Sequence, residues 1–363
     1  MLGELENKIL ETIPRKKETE KILEAFFGSN DDIILRAPAG TGKTFVAIAY
    51  ALSEMLKKRR TAIFFRTRAE LENGLSIIKA IVEKTSMEIE EGRIVPLAGR
   101  EALCFYGSKV FKGLPDFAKS LYCLVMKCPV RFRRAYSIPK LRTKLREYVS
   151  YFSGQKTCPY HTLLRYAKNA NIILATHPFL THDELFRYLG DLDTVIIDEA
   201  HALNIITFEI SGREYRDGAE IHHMLMMEQS QREENGGEDR RRRRIYDWIL
   251  ENWAFERKKV LTFEKYRFFS RRKGDTIEVG GRVIKILTPR ELIEERRSKV
   301  KRFIVMSATL YPLGMIKKLW GIKNTKTVGK LIAPTKNRMY VALVLPKITT
   351  KLAMRDKKLY MAI

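Results

Sequence analysis

Ala37-Pro-Ala-Gly-Thr-Gly-Lys-Thr44 is the stretch that decides how this chain is read. A short apolar run, Ile33-Ile-Leu35, precedes it, and a helix-forming run, Phe45-Val-Ala-Ile-Ala-Tyr-Ala-Leu52, follows it. A strand feeding a Gly-rich turn that opens a helix is the setting of a phosphate-binding loop. Backbone N–H groups from Gly40, Thr41 and Gly42 onward would cradle phosphate oxygens, and the helix N-terminus would favour their charge. The Lys43 ammonium would reach the β- and γ-phosphates, and the Thr44 hydroxyl would help to hold Mg²⁺. The first position is Ala37 where the motif usually has Gly, so this is a variant loop.

Working outward, the same pattern recurs: an apolar run, then polar residues at its end. Ala62-Ile-Phe-Phe65 does not alternate, so it reads as a strand buried on both faces, ending in Arg66-Thr67-Arg68. A helix is expected over residues 69–84. Asn171-Ile-Ile-Leu-Ala175, Asp193-Thr-Val-Ile-Ile197 and Phe303-Ile-Val-Met306 read as further core strands. The second of these ends in Asp198-Glu-Ala-His201 and the third in Ser307-Ala-Thr309. Two helices are expected ahead of the loop: one carrying Leu2, Leu5, Ile9 and Ile13 on one face up to Pro14, and one over residues 16–27. Together these runs predict an α/β fold built on a parallel sheet, with ligands bound beyond the carboxyl ends of the strands. There, Asp198 would ligate Mg²⁺ opposite Thr44, and Glu199 would orient and deprotonate an attacking water. His201, two residues on, would connect the phosphate state to neighbouring elements. Arg66, Thr67 and Arg68 would contact nucleic-acid phosphates.

Charge points the same way. The chain has 68 Lys and Arg against 43 Asp and Glu, a net +25 over 363 residues, which favours a polyanionic partner such as DNA. No stretch of about 18 apolar residues argues for a membrane span, and the start carries Glu4, Glu6 and Glu11 rather than a signal pattern. An intracellular location, cytoplasmic or nucleoid-associated and with no membrane partner, is expected. All four cysteines, Cys104, Cys123, Cys128 and Cys158, fall in one region, separated by 18, 4 and 29 residues. Disulfides do not suit that location. Four thiolates suit a [4Fe–4S] cluster or Zn²⁺, and spacing alone leaves cluster, zinc and unliganded thiols all open. Further on come a Met-rich helix near 221–228, a charged run over residues 231–239 and five arginines, Arg240 to Arg244. An apolar stripe of Ile245, Trp248, Ile249 and Trp253 follows. Thr276–Val279 and Arg282–Ile286 flank Gly280-Gly281 as a hairpin.

Taken together, these motifs resemble the iron–sulfur superfamily 2 helicases of the XPD type, with the bacterial DinG proteins as cousins. Ala37–Thr44 resembles the family's motif I, Phe65-Arg-Thr-Arg68 its motif Ia, Asp198-Glu-Ala-His201 its motif II (a DEAH box) and Ser307-Ala-Thr309 its motif III. Leu97-Ala-Gly-Arg-Glu-Ala-Leu-Cys104 and Cys158-Pro-Tyr160 resemble the two ends of its iron–sulfur domain. The resemblance implies a P-loop RecA-like parallel-sheet motor domain with a small cysteine-rich iron–sulfur domain and a reduced, mostly helical Arch-like insertion. The implied division is 1–98 and 169–204 for motor domain 1, 99–168 for the iron–sulfur domain, 205–300 for the Arch-like insertion, 301–335 for the end of motor domain 1 and 336–363 for the start of motor domain 2. It further implies ATP and Mg²⁺ as ligands, with Lys43, Asp198, Glu199 and His201 catalytic. The four cysteines would hold a structural [4Fe–4S] cluster, Arg100 would contact the DNA backbone, and Ser307 and Thr309 would couple ATP to DNA.

The implied activity is ATP hydrolysis coupled to single-stranded or forked DNA, with 5′ to 3′ movement. Motifs IV to VI would fall after residue 363, so a separate protein supplying motor domain 2 is an expected partner. The alternative is a DNA-binding subunit, or half of a split helicase, with little ATPase activity alone. Two positions depart from the family: Glu18 stands where a glutamine follows Arg15, and Ala202 follows His201 where asparagine is common.

Overall fold

The computed structural model describes residues 2–104, 137–232 and 275–328, except 15, 205 and 311, together with 262, 266, 269 and 270. Cys123, Cys128, Arg240–Arg244, the Trp248/Trp253 stripe and the expected segment 336–363 lie outside the described residues.

Ten strands are present among the described residues: β1 (Ile33–Arg36), β2 (Thr61–Phe65), β3 (Ile94–Leu97), β4 (Ile172–Thr176), β5 (Leu192–Ile197), β6 (Ile206–Ser211), β7 (Asp275–Val279), β8 (Arg282–Leu287), β9 (Val300–Ser307) and β10 (Thr325–Thr327). Seven form one sheet in the order β10-β1-β9-β5-β2-β4-β3, and every pairing is parallel. Parallel strands covered on both faces should be apolar throughout. All five residues of β2 and of β4 are accordingly buried. The strands that carry polar ends, β1, β9, β5, β2 and β4, are consecutive neighbours in the sheet. The fold therefore gathers those ends along one edge.

Helices α1 (Leu2–Glu11), α2 (Lys17–Phe27), α3 (Lys43–Leu56) and α4 (Arg68–Thr85) pack around this sheet. In α3, Val46 to Glu54 are all buried, as expected of a helix laid against a sheet. At Gly74 of α4 a methyl group would stand 3.0 Å from both Leu174 Cδ2 and Phe65 Cζ. Glycine lets this helix approach β2 and β4. Gly74→Leu is expected to destabilise the fold by about 1–3 kcal/mol through overpacking, read as a lowered urea midpoint with an unchanged slope.

A smaller antiparallel sheet, β6-β8-β7, turns through Gly280 (φ 59°) and Gly281 (φ 73°), the hairpin that the sequence predicts. Its third strand, β6, is not among those expected from the sequence, and the helix Gly212–Arg232 lies in the same segment. A further helix runs from Leu145 to Gly154. No helix among the described residues is long and apolar enough to cross a membrane.

Candidate nucleotide site at the strand ends

The loop after β1 turns through two left-handed glycines, Gly40 (φ 77°) and Gly42 (φ 83°). Side chains at such angles are strained, so glycine serves both positions. Gly42 is the residue from which α3 springs, which makes Lys43 and Thr44 the first two residues of the helix. Lys43 is 7% exposed, and its Nζ donates to the carbonyls of Ala37 (2.9 Å) and Pro38 (3.0 Å). Burial lowers its pKa, while the Glu199 and Asp198 carboxylates pull it back up. Arriving phosphates would compete for this ammonium with neutral carbonyl partners.

β5 delivers Asp198 to the same place. Thr44 Oγ1 donates to Asp198 Oδ2 at 2.7 Å, although the two residues are 154 apart in sequence. Burial pushes the Asp198 carboxyl up to about 6, opposed by the Thr44 hydrogen bond. A hydroxyl and a buried carboxylate meeting at a helix N-terminus are a donor set that suits Mg²⁺.

Glu199 occupies the left-handed region (φ 47°), uncommon outside glycine. Its Oε2 accepts from Ser307 Oγ at 3.1 Å and lies 3.2 Å from His201 Nδ1. His201 Nδ1 is also 2.9 Å from Ser307 Oγ, and its Nε2 is 3.4 Å from Arg66 Nη1. Arginine can only donate, so Nε2 accepts and the proton sits on Nδ1. A relay results: His201 Nδ1–H to Ser307 Oγ, and Ser307 O–H to Glu199. Thr309 joins it through its backbone N–H, which donates to Ser307 Oγ at 3.3 Å. The Ala37 N–H donates to the Ser307 carbonyl at 3.3 Å, tying the loop to β9.

The other expected residues are placed differently. Arg66, Thr67 and Arg68 are exposed at the end of β2. The Thr67 hydroxyl caps α4 by accepting from the Glu70 N–H at 3.2 Å, and Glu70 returns the bond at 3.0 Å. Arg100 is held by Tyr160, its guanidinium 4.4 Å from the ring centre. Cys104 ends the short helix Arg100–Leu103, and Cys158 begins the helix Pro159–Ala167, which packs against it. Among the described residues no three His, Cys, Asp or Glu side chains are grouped to hold a metal.

The sequence reading missed His177. It follows β4, bonds through its N–H to the Phe65 carbonyl, and sets Nε2 2.9 Å from the Asp198 carbonyl. Its signal was available: a polar residue directly after an apolar strand, the same position that Arg66 and Asp198 hold. Burial pushes the His177 imidazole down to about 4, the Asp198 carbonyl opposing and nearby Arg66 and His201 reinforcing. Because the folded value lies below the ordinary 6.5, this histidine supports the fold fully above pH 6.5 and less as the pH falls towards 4. Asp198, with its raised value, acts in the opposite sense between about pH 6 and 4. The two therefore mask each other in the wild-type curve, and comparison with His177→Gln isolates the first. In EDTA, wild type should lose about 2–3 kcal/mol more stability than H177Q between pH 7.5 and 4.5, measured by urea unfolding.

Comparison with known proteins bears on the fold and on the family that the chain resembles. The family described as DEAD_2 matches residues 63–216. The protein named ATP-dependent DNA helicase XPD from Sulfolobus acidocaldarius is 27% identical over 196 residues, 52% of this chain and 32% of that protein. The chain thus spans about a third of that curated relative. Among solved structures, one titled XPD_Helicase superposes with a TM-score of 0.56 at 19% identity, over 86% of this chain and 61% of that one. One titled Truncated XPD gives 0.55 at 21% identity, over 87% of this chain and 100% of that one. These two likenesses establish the fold.

Proposed function

We propose that this chain is the ATP-binding motor segment of a DNA helicase, a reading supported by its similarity to the N-terminal half of the XPD-type superfamily 2 helicases. The observation that carries this reading is the 2.7 Å bond between Thr44 and Asp198. It joins the phosphate loop to the acid pair through the two residues that would hold Mg²⁺.

In this reading Lys43 leaves the Ala37 and Pro38 carbonyls for the β- and γ-phosphates of ATP. Thr44 and Asp198 would hold Mg²⁺, which would neutralise charge developing on the phosphates. Glu199 takes the proton of the attacking water. Ser307 and His201 fix the Glu199 carboxylate, and Arg66 reports on His201 from the exposed end of β2. That end, Arg66 to Arg68, would meet the backbone of single-stranded DNA, and Thr309 extends the link through Ser307. Arg100 would add a further backbone contact. The net charge of +25 supports a DNA partner. Stepping along DNA, 5′ to 3′, belongs to the complete helicase with both motor domains, the second supplied by further chain or a separate protein.

We assign Cys104 and Cys158, with Cys123 and Cys128, as ligands of a structural [4Fe–4S] cluster, with Zn²⁺ as the rival. The two described thiols sit on neighbouring elements, and Cys158 is buried at a helix N-terminus, a position that favours a thiolate.

The test is fluorescent-ATP binding and ATP hydrolysis by anaerobically purified protein, with and without single-stranded DNA, iron being measured on the same sample. Binding of Mg·ATP together with salt-dependent DNA binding is the expected result. DNA-stimulated turnover would assign an autonomous motor segment, and binding without turnover a segment that works only when completed. Failure to bind nucleotide would overturn the reading.

A further inference from the structure

His177 is not needed for any step above, yet it is buried against the acid pair (6% exposed). A backbone carbonyl only accepts, so the 2.9 Å contact to the Asp198 oxygen requires the proton on His177 Nε2. That carbonyl belongs to the peptide joining Asp198 to Glu199. The opposite edge of the same peptide is also held, because the Glu199 N–H donates to Asp198 Oδ1 at 2.9 Å. One peptide plane is thus pinned on both sides, by a histidine from β4 and by the metal-binding candidate itself.

The consequences follow from covalent geometry. Rotating this plane would take the Glu199 N–H away from Asp198 Oδ1 and release the carboxylate whose Oδ2 receives Thr44. It would also relax Glu199 out of its left-handed backbone (φ 47°), which aims the side chain at Ser307. A non-glycine residue keeps such a conformation only where its surroundings hold it. His177 reaches across the end of β2 to do this, since β2 lies between β4 and β5. Its own N–H is anchored on the Phe65 carbonyl, and the Asp198 N–H is anchored on the Phe64 carbonyl.

We infer that His177 is a positioning residue, which locks the Asp198–Glu199 peptide so that the Asp198 carboxylate is preset for the divalent cation of a bound nucleotide. This rests on the nucleotide reading of the site. It makes the cation-dependent part of nucleotide affinity, and not the phosphate-loop part, depend on one hydrogen bond.

Gln and Met are close in size to His, but only Gln keeps a donor for the Asp198 carbonyl. H177M and H177Q are compared with wild type by fluorescent-ATP titration, with Mg²⁺ and with EDTA, each after urea unfolding confirms the fold. Losing a hydrogen bond behind a metal ligand typically costs about 10- to 100-fold in metal affinity. H177M should lose about tenfold or more of the Mg²⁺-dependent gain in affinity, at unchanged affinity in EDTA, and H177Q should restore most of it. A merely structural role would move the two conditions together and would not distinguish Gln from Met. If H177M does not fold, H177L against H177N repeats the comparison of no donor with donor. Equal Mg²⁺-dependent gains in wild type and in the donor-less variant would overturn the inference and leave the nucleotide reading standing. Absence of nucleotide binding by wild type would overturn both.

Discussion

Lys43→Ala is expected to weaken Mg·ATP binding by about 10- to 100-fold, the range for removing one charge-assisted hydrogen-bonding partner of about 1.5–3 kcal/mol. The side chain already lies where the expected phosphates would sit. Its ammonium is nearly enclosed and bonded to two carbonyls of its own loop, within the field of Asp198 and Glu199. Exchanging neutral carbonyls for phosphate oxygens strengthens its bonds without a large movement. Truncation removes that gain and leaves the Ala37 and Pro38 carbonyls without this donor. The loop shape should survive, because it depends on Gly40 and Gly42 and on the bond from Ala37 to Ser307. DNA affinity, carried by other cations, should change little. Fluorescent-ATP titration with a parallel DNA titration checks this. Unchanged nucleotide affinity would remove the phosphate loop from the function.

Much of the fold was legible because parallel strands buried on both faces are unbroken apolar runs, and their polar ends stand out. Phe65 to Arg66, Ile197 to Asp198 and Met306 to Ser307 are such boundaries, and all three reach the site. The missed strands are those for which this contrast fails. β3 contains Pro96, which lacks an N–H and fits only at a sheet edge, the place β3 occupies. β10 is Thr-Lys-Thr at the other edge, with no apolar residue to mark it. β6, Ile-Thr-Phe-Glu-Ile-Ser, alternates and belongs to the antiparallel sheet, where one covered face is enough. Within the site, Lys43, Thr44, Asp198 and Glu199 were legible because their chemistry lies in residue type and spacing. For His177 only the position at a strand end was legible; its role was not, since its partner is a backbone carbonyl, and carbonyls leave no mark in a sequence. Thr67 showed the converse: its place beside two arginines suggested a phosphate contact, while its hydroxyl is engaged in capping α4.

Arg302→Met is expected to destabilise the chain by about 3–5 kcal/mol, a large share of the 5–15 kcal/mol that holds a typical domain. Arg302 lies in β9, near the opposite end of the strand from Ser307, and is 4% exposed. Its Nη1 donates to the Phe26 carbonyl at 2.8 Å and to the Tyr50 hydroxyl at 3.0 Å. Nη2 donates to the Ala25 carbonyl at 3.4 Å, and Nε to the Asp31 carbonyl at 3.0 Å. Ala25 and Phe26 belong to the last turn of α2, whose carbonyls find no partner within the helix. One planar cation therefore finishes α2, fixes the loop into β1 and braces Tyr50 of α3. Methionine fills the length but donates nothing, so buried carbonyls lose a donor, at about 1–3 kcal/mol each before relaxation. Arg302→Lys should fall between, since a single ammonium cannot reproduce the fork. Urea unfolding should order the three proteins wild type, R302K, R302M. A loss below about 1 kcal/mol in R302M, the net worth of one ordinary hydrogen bond, would mean that these carbonyls find other partners and that Arg302 does not join α2 to the sheet.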